Sequence, residues 1–319
     1  MKNDASSYKE FQIQDIQQTL KSLSQNQIDS IVNYFHLMTF NLRDPTLDKK
    51  KNTWEQRRQP TIQTIIDTMP DVIGTQEGQS EQFNEIIEGG LKTYGYEWFG
   101  LETTKNVYDS AIIYNKNTLI LEDWGHFWLS EKPFEKFSKY PDSAMKRSCT
   151  YGIFKHKNED TKFMLFNTHF DHVSEIARQF QAGTENLPVF ITGDFNSLTN
   201  SQVYQKVSQA GYTDVLTLDK SKNSQNGQQF TFHAYLGQQM EQMFTVIPAR
   251  IICTALYYCG FQDRLPVVPF PQNFFIDFVF QNKEQIKFEM VQNFVLTHKY
   301  DGQHPSDHYP ISVLYKIVQ

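Results

Sequence analysis

The sequence predicts an α/β layered sandwich, on three observations. From residue 35, apolar runs of strand length alternate with amphipathic helical segments; strand-like runs dominate the second half; and no internal repeat points to a solenoid or propeller. A chain of 319 residues that is 39% hydrophobic and 14% aromatic, with 26 Phe and 16 Tyr, can bury a large core.

Residues 1–33 read as a polar amphipathic helical extension. Ser7 and Glu10 have capping-box spacing, and Tyr8, Phe11, Ile16, Leu20 and Leu23 recur at helical intervals. The first strand is the run Phe35 to Phe40, ending at Asn41. A helix follows with Ile62, Ile65, Ile66 and Met69 on one face, closed by Pro70. A second run starts at Val72 and ends at Gln76-Glu77, and the next helix carries Phe83, Ile86, Ile87 and Leu91. Strand-like runs then come at Ser110–Tyr114, Leu119–Leu121, Thr150–Phe154, Phe163–Phe166, Pro188–Thr192, Phe274–Phe280 and Ile311–Ile317. Ser221–Gln229 reads as a polar loop.

Lys+Arg number 30 against 36 Asp+Glu, a net charge of −6. That balance excludes a generic histone-like binder but not a local basic groove. Three cysteines, Cys149, Cys253 and Cys259, are too few and too unevenly spaced for a disulfide framework or a structural zinc site. The first residues carry no apolar core of a signal peptide, and the stretch Phe244 to Cys259 is interrupted by Pro248 and Arg250. With no glycosylation sequon either, the expectation is an intracellular protein, cytoplasmic or nuclear, without a transmembrane segment or an obligate protein partner.

Ionisable groups on or just after hydrophobic strands are expensive unless paired or ligated, so their positions are informative. Asn41 follows LMTF, Glu77 follows VIGTQ and His169 follows FMLFNT. Asp194 and Asn196 follow VFITG two residues apart, which puts both on one face of an extended chain. Asp277 sits inside FFIDFVF, and Asp307-His308 precede the last strand. Singly these are turn residues, solvent-facing acids or core histidines. Together they form an oxygen-rich set with imidazoles and no thiolate, which suits a hard cation such as Mg²⁺, or Mn²⁺. No P-loop, HExxH or GxSxG motif competes with this set.

In order, MTFN (38–41), QE (76–77), NTHFDH (167–172), GDFN (193–196), ID (276–277) and SDH (306–308) resemble the endonuclease/exonuclease/phosphatase superfamily, the deoxyribonuclease-I-like fold. The stretches 53–77 and 109–133, with Arg147 before TYGIF, resemble its branch of small metal-dependent hydrolases. The resemblance implies a four-layer α/β sandwich, two packed mixed sheets flanked by helices, over residues 34–319. It implies a Mg²⁺-dependent phosphoric-ester hydrolase in which Glu77 holds the metal, helped by Asn41 and Asp307. Asp194 and Asn196 would position or deprotonate the attacking water. His308, oriented by Asp277, would act at the phosphate, and His169 would sit on a phosphate oxygen. Which of Asp194 and His308 is the base stays open.

Three features depart from the family pattern. Residues 238–276 replace a usually short loop and read either as a lid or interaction insertion or as translated intron sequence. The helix between His169 and Asp194 is short, Ser174–Ala182. The carboxylate expected to support His169 is displaced by one residue, to Asp109; on a continuous strand that shift points it to the opposite face. The substrate class is a phosphorylated compound: nucleic acid, phospholipid headgroup or small phosphoester. Lys49–Lys51, Arg57-Arg58 and Lys146-Arg147 are candidate phosphate contacts, with Arg147 the best placed to grip a second anionic group. The alternatives are a non-catalytic binding or scaffold member of the same fold and, more weakly, a zinc hydrolase using His169, His172 and His308.

Overall fold

The computed structural model describes residues 33–48, 51–141, 143–170, 187–218, 230–235, 275–282 and 287–318. The expected N-terminal extension, the helix Ser174–Ala182, the loop Ser221–Gln229, His172 and nearly all of 238–276 lie outside them.

Two six-stranded sheets carry the fold. Sheet one orders β13 (Phe288–Val295), β14 (Ile311–Ile317), β1 (Tyr34–Asn41), β2 (Val72–Gln76), β6 (Ile112–Asn115) and β4 (Tyr96–Phe99). Sheet two orders β11 (Tyr212–Asp214), β12 (Asp277–Asn282), β10 (Val189–Asp194), β9 (Lys162–His169), β8 (Ser148–His156) and β7 (Leu119–Trp128). A two-stranded ladder joins β3 (Gly78–Gln79) to β5 (Val107–Tyr108).

The period-2 pattern of β1 explains the layering. Phe35 and Leu37 point into the core between the sheets, where the Phe35 ring lies 4.5 Å from Phe163 and 5.5 Å from Phe190 of the other sheet. Met38 and Phe40 point outward onto Ile62 and Ile65 of α1 (Trp54–Thr68) and Phe83 and Ile86 of α2 (Ser80–Ile86). On the outer side of sheet two, Tyr204 of α3 (Gln202–Gln209) packs on Phe278 and Phe280. Helix, sheet, sheet and helix are the four expected layers. Met69 departs from the expected apolar face: the helix stops at Thr68, and Met69 takes the left-handed cap conformation (φ 44°) with 39% of its surface exposed.

The sheets approach closely at Gly74, where an added Cβ would lie 2.0 Å from Thr192 Oγ1 and 2.5 Å from Asn167 Oδ1. Asn167 bridges the sheets there. Its amide nitrogen donates to the carbonyls of Thr75 (2.8 Å) and Ala111 (2.9 Å), and its oxygen accepts from Gln76 Nε2 (2.8 Å) and Thr192 Oγ1 (3.0 Å). This buried network fixes the register of one sheet over the other just below the strand ends that carry the site. Among the described residues, no helix is long and apolar enough to cross a membrane.

Candidate active site

Strand register collects the site. In sheet two Asp194 stands directly opposite His169 on one side and Asp277 on the other, so three neighbouring strands present them side by side. In sheet one β1 and β2 run parallel, with Asn41 beside Gln76. Glu77 follows immediately and Asp307-His308 enter just before β14, the other neighbour of β1. All nine expected residues meet at this end of the sandwich.

Asn41 ties the two sheets together at the site. Its Nδ2 donates to Glu77 Oε1 (3.1 Å) and Asp194 Oδ2 (3.0 Å), while its Oδ1 accepts from the Arg43 backbone N–H (2.9 Å). Glu77 also accepts from the Asp44 N–H at 2.9 Å. Glu77 and Asn196 adopt left-handed backbone (φ 60° and 46°), a costly state for residues with a Cβ that is concentrated at functional sites. The glycine of GDFN is a steric requirement. A Cβ at Gly193 would sit 2.4 Å from the Thr168 carbonyl oxygen and push β10 off β9.

The two histidines have separate supports. His308 Nδ1 lies 2.8 Å from Asp277 Oδ2, while its Nε2 faces Asp194 Oδ2 at 3.8 Å and Asp307 Oδ1 at 4.0 Å. His169 Nδ1 lies 2.9 Å from Asp109 Oδ1, and its Nε2 lies 2.8 Å from Asn196 Nδ2 and 3.6 Å from Asp194 Oδ2. Asn196 Nδ2 also donates to the Phe170 carbonyl (3.0 Å), which fixes the amide's orientation. In the neutral His169 ring, Nε2 is therefore the acceptor and Nδ1–H donates to Asp109.

The contact with Asp109 corrects the expectation from its one-residue displacement. β5 ends at Tyr108 and Asp109 lies in the following turn, so strand alternation does not govern its direction. Arg147 packs on the same carboxylate, with Nη1 2.5 Å from Asp109 Oδ2 and 2.9 Å from His169 Nδ1. Arg57 differs from its sequence reading as a phosphate contact. It is fully buried, donating to the carbonyls of Asn52 (2.7 Å), Leu42 (2.8 Å) and Pro305 (3.1 Å), and thereby ties the end of β1 to the segment bearing Asp307.

The electrostatics follow from burial against this pairing. Burial opposes charge on His308, but the Asp277 carboxylate, with Asp307 and Asp194, lifts its pKa to about 10. Burial and then repulsion from Asp277 push Asp194 above the ordinary carboxylate value, and burial does the same to Asp307. Burial also works against Glu77, but His169, His308 and Arg43 hold it below its ordinary value. Asp109, likewise opposed by burial, is kept well below the carboxylate range by Arg147 and His169.

One ligand atom each from Glu77, Asp194 and His308 lies within 4.8 Å of the other two, the single such cluster among the described residues. Asn41 and Asp307, expected beside Glu77 as ligands, border it. Asn41 bridges Glu77 and Asp194, and Asp307 Oδ2 sits 3.1 Å from Arg43 Nη1. Asp194 and Asp307, driven toward protonation by burial, stand beside the ionised Glu77, and their hard oxygen donors are a chemical fit to a divalent cation.

No family model matches the chain. Over 196 residues it is 24% identical to the CCR4-Not complex 3'-5'-exoribonuclease subunit Ccr4 of Saccharomyces cerevisiae, covering 49% of this chain and 23% of that protein. Over 159 residues it is 30% identical to the uncharacterized protein L388 of Acanthamoeba polyphaga mimivirus, covering 45% of this chain and 59% of that one. The chain thus spans less than two thirds of the length of the curated relatives it matches. Among solved structures, an endonuclease/exonuclease/phosphatase family protein of Bacteroides thetaiotaomicron superposes with a TM-score of 0.69 at 24% identity, covering 89% of this chain and 95% of that one. A mannosyl-6-phosphatase of the same species gives 0.66 at 24%, covering 89% and 100%. D. rerio TDP2 complexed with single-strand DNA product gives 0.61 at 16%, covering 89% and 99%.

Proposed function

From the endonuclease/exonuclease/phosphatase fold that this chain shares, we propose that it is a Mg²⁺-dependent phosphoric-ester hydrolase acting with an activated water. The observation that carries the proposal is that ligand atoms of Glu77, Asp194 and His308 lie within 4.8 Å of one another, with His308 backed by Asp277 and His169 by Asp109. The ion would be held by Glu77, helped by Asn41 and Asp307, and would supply positive charge against the phosphoryl oxygens, leaving Asp194 to act on water.

Each residue then has a defined task. His308, held in its charged form by Asp277, donates a hydrogen bond from Nε2 to a phosphoryl oxygen. Asp194, with a raised proton affinity, takes a proton from water placed against its carboxylate and the Asn196 amide, which leaves a nucleophile aimed at phosphorus. Burial and Arg147 oppose charge on His169 while Asp109 draws its pKa upward; the ring would meet a phosphate oxygen on the opposite side only once Nε2 is protonated and released from the Asn196 amide. Arg147, beside Asp109 and His169, is placed to meet a further anionic group of the substrate.

The test is turnover of bis(p-nitrophenyl) phosphate, p-nitrophenyl phosphate and short oligonucleotides in EDTA and in Mg²⁺. The expected result is hydrolysis of at least one ester only with the metal, reduced about 10³-fold or more in Glu77→Gln. Metal-independent hydrolysis, or none across the panel, overturns the proposal.

A further inference from the structure

His233 and His304 come from distant parts of the chain and meet inside the protein. His233 closes the run FTFH at 230–233, and His304 stands three residues before Asp307. Their segments pair through the backbone. The His233 and Ala234 N–H groups donate to the Asp307 carbonyl (2.8 and 3.1 Å), and the Tyr309 N–H donates to the Thr231 carbonyl (2.8 Å). This pairing brings the two imidazoles together, with ring centroids 4.3 Å apart and planes tilted by 46°. Tyr309 stacks on His233 at 4.0 Å and lies 5.7 Å from His304.

Ring packing alone does not account for histidine at these positions. His233 is fully buried and His304 is 3% exposed, and none of their four ring nitrogens makes a hydrogen bond. Ten buried side-chain nitrogens and oxygens among the described residues lack a partner. These two neighbouring rings hold four of them, and the other six are spread over six side chains. A buried imidazole without partners forgoes water on both a donor and an acceptor, a cost that a phenyl ring in the same place avoids. Burial holds both rings neutral, the form that ligates metals: His304 is pushed down to about 3 with help from Lys299, and His233 lies well below its ordinary value. The His308 backbone favours a proton on one nitrogen of His233. That leaves the lone pair of the other free, the usual state of a ligating histidine.

We propose that His233 and His304 form a second metal site, for a borderline divalent cation such as Zn²⁺, separate from the hard-cation position at Glu77. Imidazole nitrogens favour Zn²⁺ over Mg²⁺, which takes oxygen donors. At this centroid separation one nitrogen of each ring can reach a common ion at about 2.1 Å, with water completing its coordination. The ion would tie residue 304 to residue 233 and so stiffen the segment that presents Asp307 and His308. The site is independent of the hydrolase reading, and its test is read without turnover.

The test is the melting temperature of the full chain in saturating Mg²⁺, with and without a few equivalents of Zn²⁺. Zn²⁺ should raise it by about 3 °C or more, because an ion bound by the folded state alone stabilises that state. His304→Phe should fold, since the phenyl ring keeps the packing and gives up no hydrogen bond, and should lose the Zn²⁺ shift. A shift as large in the variant as in the wild type puts the ion elsewhere and overturns the site. So does a wild type that Zn²⁺ leaves unmoved. Should His304→Phe fail to fold, anomalous diffraction at the zinc edge from wild-type crystals decides. A peak beside both rings supports the site, and Zn²⁺ found only at Glu77 or on the surface overturns it.

Discussion

Replacing His308 with alanine is expected to lower phosphoester turnover by about 10²–10⁴-fold, the usual cost of removing a positioned proton donor or acceptor. The ring touches the reacting phosphate in this account, whereas Asp277 acts through it. Asp277→Asn should therefore cost less, about 10–100-fold, and should change the pH response. His308 moves from an ordinary 6.5 to about 10 on folding. In metal-free protein its charged pair with Asp277 contributes stability that is fully present below pH 6.5 and lost as pH rises through 10. Melting temperatures measured in EDTA from pH 6 to 10 should fall more steeply for the wild type than for Asp277→Asn. Parallel curves would show that Asp277 does not charge the ring.

Replacing Asn167 with leucine is the second large effect, on stability. Leucine fills similar space but removes four buried hydrogen bonds, leaving the Ala111 carbonyl only its Thr75 donors and Gln76 and Thr192 only longer contacts of 3.3–3.4 Å. A buried hydrogen bond contributes about 0.5–1.5 kcal/mol, so losing four is expected to cost about 3 kcal/mol in denaturant unfolding. Because Gln76 leads directly into Glu77, the variant that remains folded should also lose activity. A stability loss below about 1 kcal/mol would mean that the inter-sheet network does not set the register.

What was legible in the sequence follows from which signal each residue carries. β14 spans the expected Ile311–Ile317, and the polar residues closing apolar runs all arrive at one strand end, because desolvating a charge there is tolerated only with partners. β7 runs far beyond the expected Leu119–Leu121, since Glu122, Asp123 and Trp124 on this edge strand are exposed and lack an apolar pattern. β13 escaped notice because the irregularity between Met290 and Gln292 breaks its alternation and Val291 is 48% exposed. Arg57 looked like surface charge; its burial depends on backbone carbonyls supplied by residues as distant as Pro305, which no local window reveals. Asn167 lies within NTHFDH, but its partners Thr75, Gln76 and Ala111 belong to or adjoin strands of the opposite sheet, which no local window contains. Asp109 reaches His169 because it lies in the turn after β5, where strand alternation does not set the direction of its side chain.

Everything rests on an ion held at Glu77, with Asp194 and the charged His308 ring beside it. Anomalous diffraction from crystals grown with Mn²⁺ tests it most directly. An anomalous peak beside the Glu77 carboxylate, at the end of the sandwich that carries Asp194 and His308, is expected. A peak elsewhere on the molecule, with this end of the sandwich empty at saturating Mn²⁺, would contradict it.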